Sequence, residues 1–237
     1  MTDRPILFSG PMIRALLDDR KTQTRRLFNL PKWAVPGTLE IDDDGPYACA
    51  EISGCLAKVP TRINVGDRLW VKENAAVRHQ SWHHVDGDAH QVCYRADEDE
   101  HGRWLGLASC GNGIRRGKAP SVFPRKSHNL DGSLRWQPSI HMPRWASRLT
   151  LIVTDVRVEQ LQDISEEDAI AEGIEQSAKF PDRYLTPAGD YAVPKVAYQR
   201  LWEAINGAGS WEANPWIAAY TFTVIKQNID QIEKVAA

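Results

Sequence analysis

Apolar residues recur with two different spacings along the first 27 positions. Residues 5–9 (PILFS) form a short apolar run that is typical of a buried strand, whereas the apolar side chains of residues 12–17 fall on one face of a helix. Pro11 suits the first turn of that helix, because a proline there loses no hydrogen bond. Residues 22–27 alternate and are rich in β-formers. The pattern therefore predicts strand, helix and strand, with the helix ending by Asp19.

Three further strands are predicted from apolar alternation. Residues 68–72 (RLWVK) form one strand and residues 216–225 (WIAAYTFTVI) form the last. Residues 148–161 form a longer strand, in which the apolar positions change from odd to even numbers at Thr154 and Asp155. A β-bulge there would restore a single apolar face and bend the strand, as in small barrels.

Two helices follow the long strand. Ser165 is a good N-cap, Asp168 completes a capping-box pattern and Gly173 suits the position after the last turn. Residues 194–205 form the second helix. Glu172, directly before the glycine, places a carboxylate at the negative end of the first helix dipole, which is unfavourable. Such locally unfavourable choices tend to mark functional positions, although a solvated glutamate at a frayed end is the simpler alternative.

The order of these elements predicts an α+β fold, a small mixed β-barrel with short helices at its ends and large loop insertions. One domain is predicted over 1–226, with insertions at about 29–64, 75–135 and 175–193. The first insertion contains a hairpin with DDDG as its turn. The second has no strong period and is interpreted as a lid or as a solvated surface loop. Residues 227–237 form a C-terminal tail or a small closing helix.

Composition excludes several classes of protein. No run of about 18 apolar residues exists, and the N-terminus lacks the apolar segment of a signal peptide, so a cytoplasmic protein without a membrane span is predicted. The formal net charge of −2 argues against coating nucleic acid through charge alone. Nucleic acid, if bound, is expected to meet a local basic patch and a pocket.

No metal or cofactor site is predicted. The four cysteines form no CxxC pair and are interpreted as free thiols. One cluster of potential ligands matches no common zinc spacing. Its members are His83, His84, His90 and Cys93.

The main cluster of candidate functional residues lies in residues 16–26 (LLDDRKTQTRR), at the predicted helix-to-strand turn. Four cations, Arg20, Lys21, Arg25 and Arg26, lie within seven positions of a chain that is otherwise nearly neutral. Side chains from such a turn can converge on a cleft.

Several segments together resemble the ASCH superfamily, and phage- and prophage-encoded ASCH-type proteins in particular. They read LLDDRKTQTRR, VGDRLWV, WQPSIHMPRWASRLTL, DISEEDAIAEGI and LWEAINGAGSWEANPW. The resemblance covers roughly 5–28, 65–73, 148–174 and 194–225. It implies a PUA-like β-barrel with a cleft for a nucleobase, a nucleoside or an RNA segment. The sequence departs from the family pattern at Asp19, where the family usually has glycine. Its chain is also much longer than those of the small enzymes of the family.

The resemblance also implies site residues. Some small bacterial members are amidohydrolases that remove the acetyl group of N4-acetylcytidine, and their lysine, threonine and glutamate correspond to Lys21, Thr24 and Glu172. Neighbouring cations lower the pKa of a buried lysine, so Lys21 is expected to act as a base. Thr24 is then the activated hydroxyl, and Glu172 either orients the lysine or carries a proton to the leaving amine.

Alternatives without this reaction use the same residues. In a non-catalytic reader of RNA or of a modified base, the basic turn holds a phosphate or a guanine edge and tryptophans stack the base, with RNA favoured over DNA. A ribonuclease and a phage interaction protein remain further alternatives, and no oligomeric state is predicted. Glu73 either enters the pocket or forms a salt bridge, and His141 either reaches the cleft or packs on tryptophan. The remaining binding candidates are Arg20, Arg25, Arg26, Trp70, Trp136, Arg144, Trp145 and Arg148.

Overall fold

The fold comes from a computed structural model. It describes residues 2–35, 38–42, 45–49, 55–80, 89–97, 114–116 and 135–232. The chain divides into two compact units. Unit 1 comprises Met1–Asp18, Arg68–Ile152 and Val224–Ala237, and unit 2 comprises Asp19–Asp67 and Val153–Thr223. The prediction of one domain over 1–226 with its insertions stays a prediction.

Strands outnumber helices in the described residues, so the predicted α+β class is confirmed. The α-helices are α1 (Gly10–Leu17), α2 (Glu166–Ala171) and α3 (Pro194–Asn206). The strands are β1 (Asp3–Leu7), β2 (Gln23–Leu27), β3 (Glu40–Asp42), β4 (Gly45–Cys49), β5 (Leu56–Lys58), β6 (Arg68–Lys72), β7 (Ala75–Gln80), β8 (Ala89–Tyr94), β9 (Ile114–Arg116), β10 (Thr150–Gln160), β11 (Tyr184–Leu185), β12 (Tyr191–Ala192) and β13 (Trp216–Ile225). No closed barrel is found among these described strands, so the barrel stays a prediction.

The main sheet of unit 1 is built on β6. Strand β1 runs parallel to β6, and β10 pairs antiparallel with it from the other side, with Leu151 opposite Leu69. Leu69 and Val71 are buried and Trp70 is half-buried, as the alternation of RLWVK predicts. The predicted strand at residues 5–9 begins and ends two residues earlier, as β1.

A second antiparallel sheet in unit 1, β7–β8–β9, is not among the predicted elements. Its strands are rich in Ala, Arg, His and Gln, which give little apolar alternation. Residues 81–88, 98–113 and 117–134 lie outside the described residues. These ranges contain most of the segment that was predicted to form a lid or a surface loop.

The predicted tail or small closing helix over 227–237 stays a prediction, because residues 233–237 lie outside the described residues. Residues 227–232 are held to unit 1 by burial and by hydrogen bonds. They include a 3-10 helix at Ile229–Gln231, and Ile229 is buried. Asn228 donates its side-chain amide to the carbonyl oxygen of Ser147 at 2.7 Å. Arg68, buried beside them, donates to Ile232 O at 3.3 Å and forms two 2.8 Å bonds with Asp3. These bonds from Arg68 lower the pKa of Asp3 to about 2.

The sheet of unit 2 has β13 between β10 and β2. Strand β13 is antiparallel to β2, in a register that places Tyr220 opposite Thr24. Along β10 the buried positions change from Val153 to Val158, so the predicted change of phase is confirmed. Helices α2 and α3 cover the sheet through one apolar cluster. It comprises Leu161, Ile164, Ala169, Tyr198, Trp202, Trp211, Ile217 and Ala219.

Two smaller sheets complete unit 2. Strands β3, β4 and β5 are antiparallel, and Asp42 pairs with Gly45, as the predicted DDDG hairpin requires. The turn residues 43–44 lie outside the described residues. Strands β11 and β12 form a short hairpin that packs on α3 through Tyr184 and Ala192. In the part of the chain that the structure describes, no helix has the length and apolar character needed to cross a membrane.

Candidate active site

Lys21 and Glu172, 151 positions apart in sequence, form a buried ion pair in unit 2. The Lys21 ammonium donates to Glu172 Oε2 at 2.7 Å and to the Glu172 carbonyl oxygen at 2.8 Å. The side chains are 1% and 6% exposed. A backbone bridge between the same residues, together with the hydrogen bond from Thr22 N to Ala171 O at 2.9 Å, aligns the two segments.

Helix α2 places Glu172 at its C-terminal end, and its two ends form as the capping residues predict. The Ser165 hydroxyl accepts from Asp168 N at 3.0 Å, which confirms the N-cap. Glu172 is the C-cap, and Gly173 has φ 87°, a left-handed conformation that favours glycine. The predicted conflict between Glu172 and the helix dipole is offset, because Lys21 caps the carbonyl of Glu172 and Arg20 donates to Gly173 O at 2.9 Å.

Burial controls the charge of Lys21. Desolvation lowers the pKa of Lys21, Glu172 opposes the lowering, and Arg25 and Arg26 add to it. The predicted direction is therefore confirmed, although burial rather than the neighbouring cations is the principal cause.

Arg25 is enclosed by carboxylates. Its side chain is fully buried, and Nη2 donates to Glu159 Oε1 at 2.8 Å and to Asp168 Oδ2 at 2.9 Å. Its Nη1 lies 3.4 Å from Glu172 Oε1. The arginine that was predicted to bind nucleic acid is thus engaged inside the unit.

Tyr198 of α3 approaches the same carboxylate oxygen, with its hydroxyl 3.5 Å from Glu172 Oε1. Burial raises the pKa of Tyr198 well above its usual value, so the phenol is neutral at ordinary pH. Tyr198, Glu159 and Gln23 also belong to this network, and no motif in the sequence marks them as members of it. A buried tyrosine usually finds a hydrogen-bond partner, but its position in a helix does not reveal which one.

Thr24 lies on β2, three residues beyond Lys21, and is buried. Strand alternation puts its side chain on the opposite face of β2 from Gln23 and Arg25. The structure thus joins Lys21 directly to Glu172, and it does not bring the Thr24 hydroxyl into hydrogen-bond contact with either.

Arg26 combines exposure with desolvation. Its side chain is exposed, yet surrounding protein lowers its pKa, while Glu172, Tyr198 and Tyr220 oppose that lowering. Arg26 is thus a cation near Glu172 that a ligand can reach.

The other predicted binding residues belong to unit 1, where Glu73 is part of a buried ion cluster. Both of its carboxylate oxygens accept from Arg148, at 2.9 and 3.0 Å. Arg148 also donates to both oxygens of Asp97, at 2.9 and 2.7 Å, and lies 4.0 Å from the centre of the Tyr94 ring. For Glu73 the salt-bridge alternative is the one observed.

Trp70, His141, Arg144 and Trp145 have less enclosed positions in unit 1. Trp70 is half-buried, and the Lys72 ammonium lies 5.3 Å from the centre of its ring. His141 is exposed at the end of a 3-10 helix. Arg144 forms ion pairs with Asp3 at 2.7 Å and Asp230 at 2.6 Å. Trp145 is half-buried against the apolar cluster around Met142, and Trp136 is also half-buried.

Asp19, the departure from the ASCH pattern, adopts the left-handed conformation at φ 58°. Aspartate tolerates this region better than most residues, but glycine adopts it without strain. The turn before Lys21 therefore has a conformation that glycine favours.

Asp19→Gly is expected to raise the free energy of unfolding by about 0.5 kcal/mol, since relief of strain exceeds the added entropy of the unfolded chain. Asp18→Gly is the matched control, because Asp18 has φ −85° and glycine brings no relief there. Urea denaturation of both variants checks the difference. A less stable Asp19→Gly protein would mean that contacts of the aspartate outweigh its strain.

The described residues contain no cluster of three His, Cys, Asp or Glu side chains suited to a metal ion. His83 and His84 of the histidine cluster lie outside the described residues. In comparisons with known proteins, no family model, curated protein or solved structure matches the chain. The functional proposal therefore rests on the residues of unit 2.

Proposed function

We propose that the protein is an ASCH-type protein with a PUA-like fold that recognises a modified nucleoside and hydrolyses the amide of an N4-acylated cytidine. Lys21 is the base, Thr24 the nucleophile and Glu172 the group that holds the lysine. Arg26 contacts the substrate. The reaction requires no metal or cofactor.

The observation that carries the proposal is the buried Lys21–Glu172 pair. An ammonium that only stabilised the fold would gain little from such burial, because the desolvation of a charge is costly. A base instead needs a neutral fraction near working pH, and desolvation of Lys21 acts in that direction. Glu172 limits the shift and fixes the amine through a 2.7 Å contact.

Thr24 supplies a second requirement of the reaction, a hydroxyl, from a buried position on β2 three residues beyond Lys21. Alternation along β2 places Thr24 on the same face of the strand as exposed Arg26, the residue proposed to contact the substrate. In the proposed reaction the Lys21 amine meets this hydroxyl once substrate is bound. Catalytic contacts often shorten in this way only when substrate is present.

The proposed steps conserve atoms and protons. Neutral Lys21 takes the proton of Thr24 as the Thr24 oxygen attacks the acetyl carbon. The bond from that carbon to N4 then breaks, and Lys21 returns the proton to N4, which releases cytidine. Water attacks the acetyl ester on Thr24, with Lys21 taking its proton and passing it to the threonine oxygen, and acetic acid leaves.

A pocket fits the charges better than an extended nucleic-acid track. Arg20, Arg25, Arg144 and Arg148 all donate to acceptors within their own unit. A track that follows a phosphate chain needs several accessible cations, whereas a nucleoside pocket needs few.

Incubation of the protein with N4-acetylcytidine tests the proposal, with release of cytidine followed by chromatography. Saturable turnover above the uncatalysed rate is expected. The same nucleoside placed in a short RNA checks whether a polymer is also accepted. Binding without cytidine release would replace hydrolysis by recognition, shortened RNA would indicate a ribonuclease, and absence of binding and turnover by folded protein would overturn the proposal.

A further inference from the structure

Arg25 shares its charge unequally among three carboxylates. Its two contacts with Glu159 and Asp168, at 2.8 and 2.9 Å, have the length of strong charge-assisted hydrogen bonds. Arg25 Nη1 makes its short contact, 2.5 Å, with Gln23 Oε1 and lies 3.4 Å from Glu172 Oε1, which is long for a charge-assisted hydrogen bond. Glu172 instead makes its short contact, 2.7 Å, with Lys21.

We propose that Asp168 and Glu159 are positioning residues: they bind Arg25 Nη2 while Gln23 accepts from Nη1, and together these contacts keep the guanidinium from forming a close ion pair with Glu172, so that Glu172 remains the partner of Lys21. The inference concerns the site of the proposed function and depends on that function only for its catalytic meaning. The proposed positioning of the guanidinium follows from the contacts of Arg25, whatever reaction the site catalyses.

The secondary structure holds the network in place. Asp168 lies in the first turn of α2 and Glu172, four residues later, is its C-cap, so the two face the same side, and Glu159 comes from β10. Asp168 is itself fixed, because Gln23 donates to Oδ1 at 3.1 Å and Arg157 donates to Oδ2 at 2.8 Å.

The charges around Lys21 determine what the positioning achieves. Glu172 faces it from the end of α2, and Arg25 and Arg26 face it from β2. Glu172 in turn faces Tyr198 of α3, and Tyr220 of β13 lies near Arg26. If either partner of Arg25 is neutralised, its guanidinium is drawn toward Glu172, and the positive potential at Lys21 rises. Lys21 then loses its proton at a lower pH.

The isosteric variants Asp168→Asn and Glu159→Gln test the inference. Crystal structures of both are expected to show the distance from Arg25 Nη1 to Glu172 Oε1 shortened to about 2.8 Å. Titration of the Lys21 side chain by NMR, assigned with Lys21→Met, is expected to move to lower pH by at least about half a pH unit.

Arg157→Gln is the matched control. It removes the other cation that binds Asp168, but its side chain is 43% exposed and its charge has the opposite sign to that of Asp168. No downward movement of the Lys21 titration is expected. If Asp168 had a purely structural role, Asp168→Asn and Arg157→Gln would both lower the stability of the protein. The midpoint of the Lys21 titration would then not move to lower pH in Asp168→Asn alone.

An unchanged Arg25–Glu172 distance in the two carboxylate variants would overturn the inference, as would an unchanged or raised titration midpoint. If Asp168→Asn does not fold, the Arg25–Glu172 distance and the Lys21 titration midpoint in Glu159→Gln alone decide whether the inference holds. Neither measurement needs substrate. A shifted midpoint without hydrolysis therefore supports the network while the proposed function fails, and hydrolysis with an unshifted midpoint overturns the network alone.

Discussion

Replacement of Arg148 by methionine is expected to lower the free energy of unfolding by about 3–5 kcal/mol, because two buried carboxylates lose their cation. The Arg148 side chain fills the space between Glu73 and Asp97 with four hydrogen bonds, and all three side chains are at most 4% exposed. Methionine fills part of the volume but donates nothing. Urea denaturation followed by circular dichroism measures the loss.

Two further variants identify the cause of that loss. Arg144→Met removes an arginine whose ion pairs are partly exposed, so a loss of about 1 kcal/mol or less is expected. Combination of Arg148→Met with Glu73→Gln and Asp97→Asn is expected to recover part of the stability, since neutral amides need no counter-charge. A triple variant no more stable than Arg148→Met would show that packing, not charge, causes the loss.

The same cluster has a defined pH dependence. Burial raises the pKa of Glu73, and Arg148 opposes that rise. A carboxyl group with a raised pKa in the folded state contributes stability that is present below its unfolded value, near 4.5, and is lost as the pH rises through the folded value. Without Arg148 the pKa rises further, so the loss in Arg148→Met is expected to be smaller at pH 5 than at pH 8.

Local sequence signals predicted those elements whose boundaries depend on nearby residues. Helix α2 follows from Ser165, Asp168 and Gly173, all within nine positions, and each makes the expected contact or adopts the expected conformation. The β7–β8–β9 sheet was missed, because strands rich in alanine and polar residues carry no apolar period and depend on their tertiary partners.

The roles of charged residues depended on contacts that no local pattern contains. Arg25 was predicted to bind nucleic acid, yet its partners Glu159 and Asp168 lie 134 and 143 positions away. The pairing of Lys21 with Glu172 was expected through resemblance, and it spans 151 positions. A sequence shows which residues carry charge, whereas the fold decides which charges neutralise each other.

Replacement of Lys21 by methionine is expected to lower kcat/KM for N4-acetylcytidine by at least about a thousandfold, because the proposed base that takes the proton of Thr24 is lost. Lys21→Arg should not restore activity, since a guanidinium stays protonated. Lys195→Met is the matched control. Lys195 also donates to a backbone carbonyl, that of Gln162 at 2.6 Å, but its loss should leave turnover unchanged.

Glu172→Gln separates the two roles that remain open for the glutamate. Glu172 raises the pKa of Lys21 by charge and by hydrogen bond, so its removal lowers that pKa and favours the neutral amine. If Glu172 only holds the lysine, the variant retains reduced turnover and the rise of kcat/KM with pH moves to lower pH. We expect this outcome, because Oε2 is already committed to Lys21 at 2.7 Å. Complete loss of turnover at every pH, with the fold intact, would instead make Glu172 the proton carrier to the leaving amine.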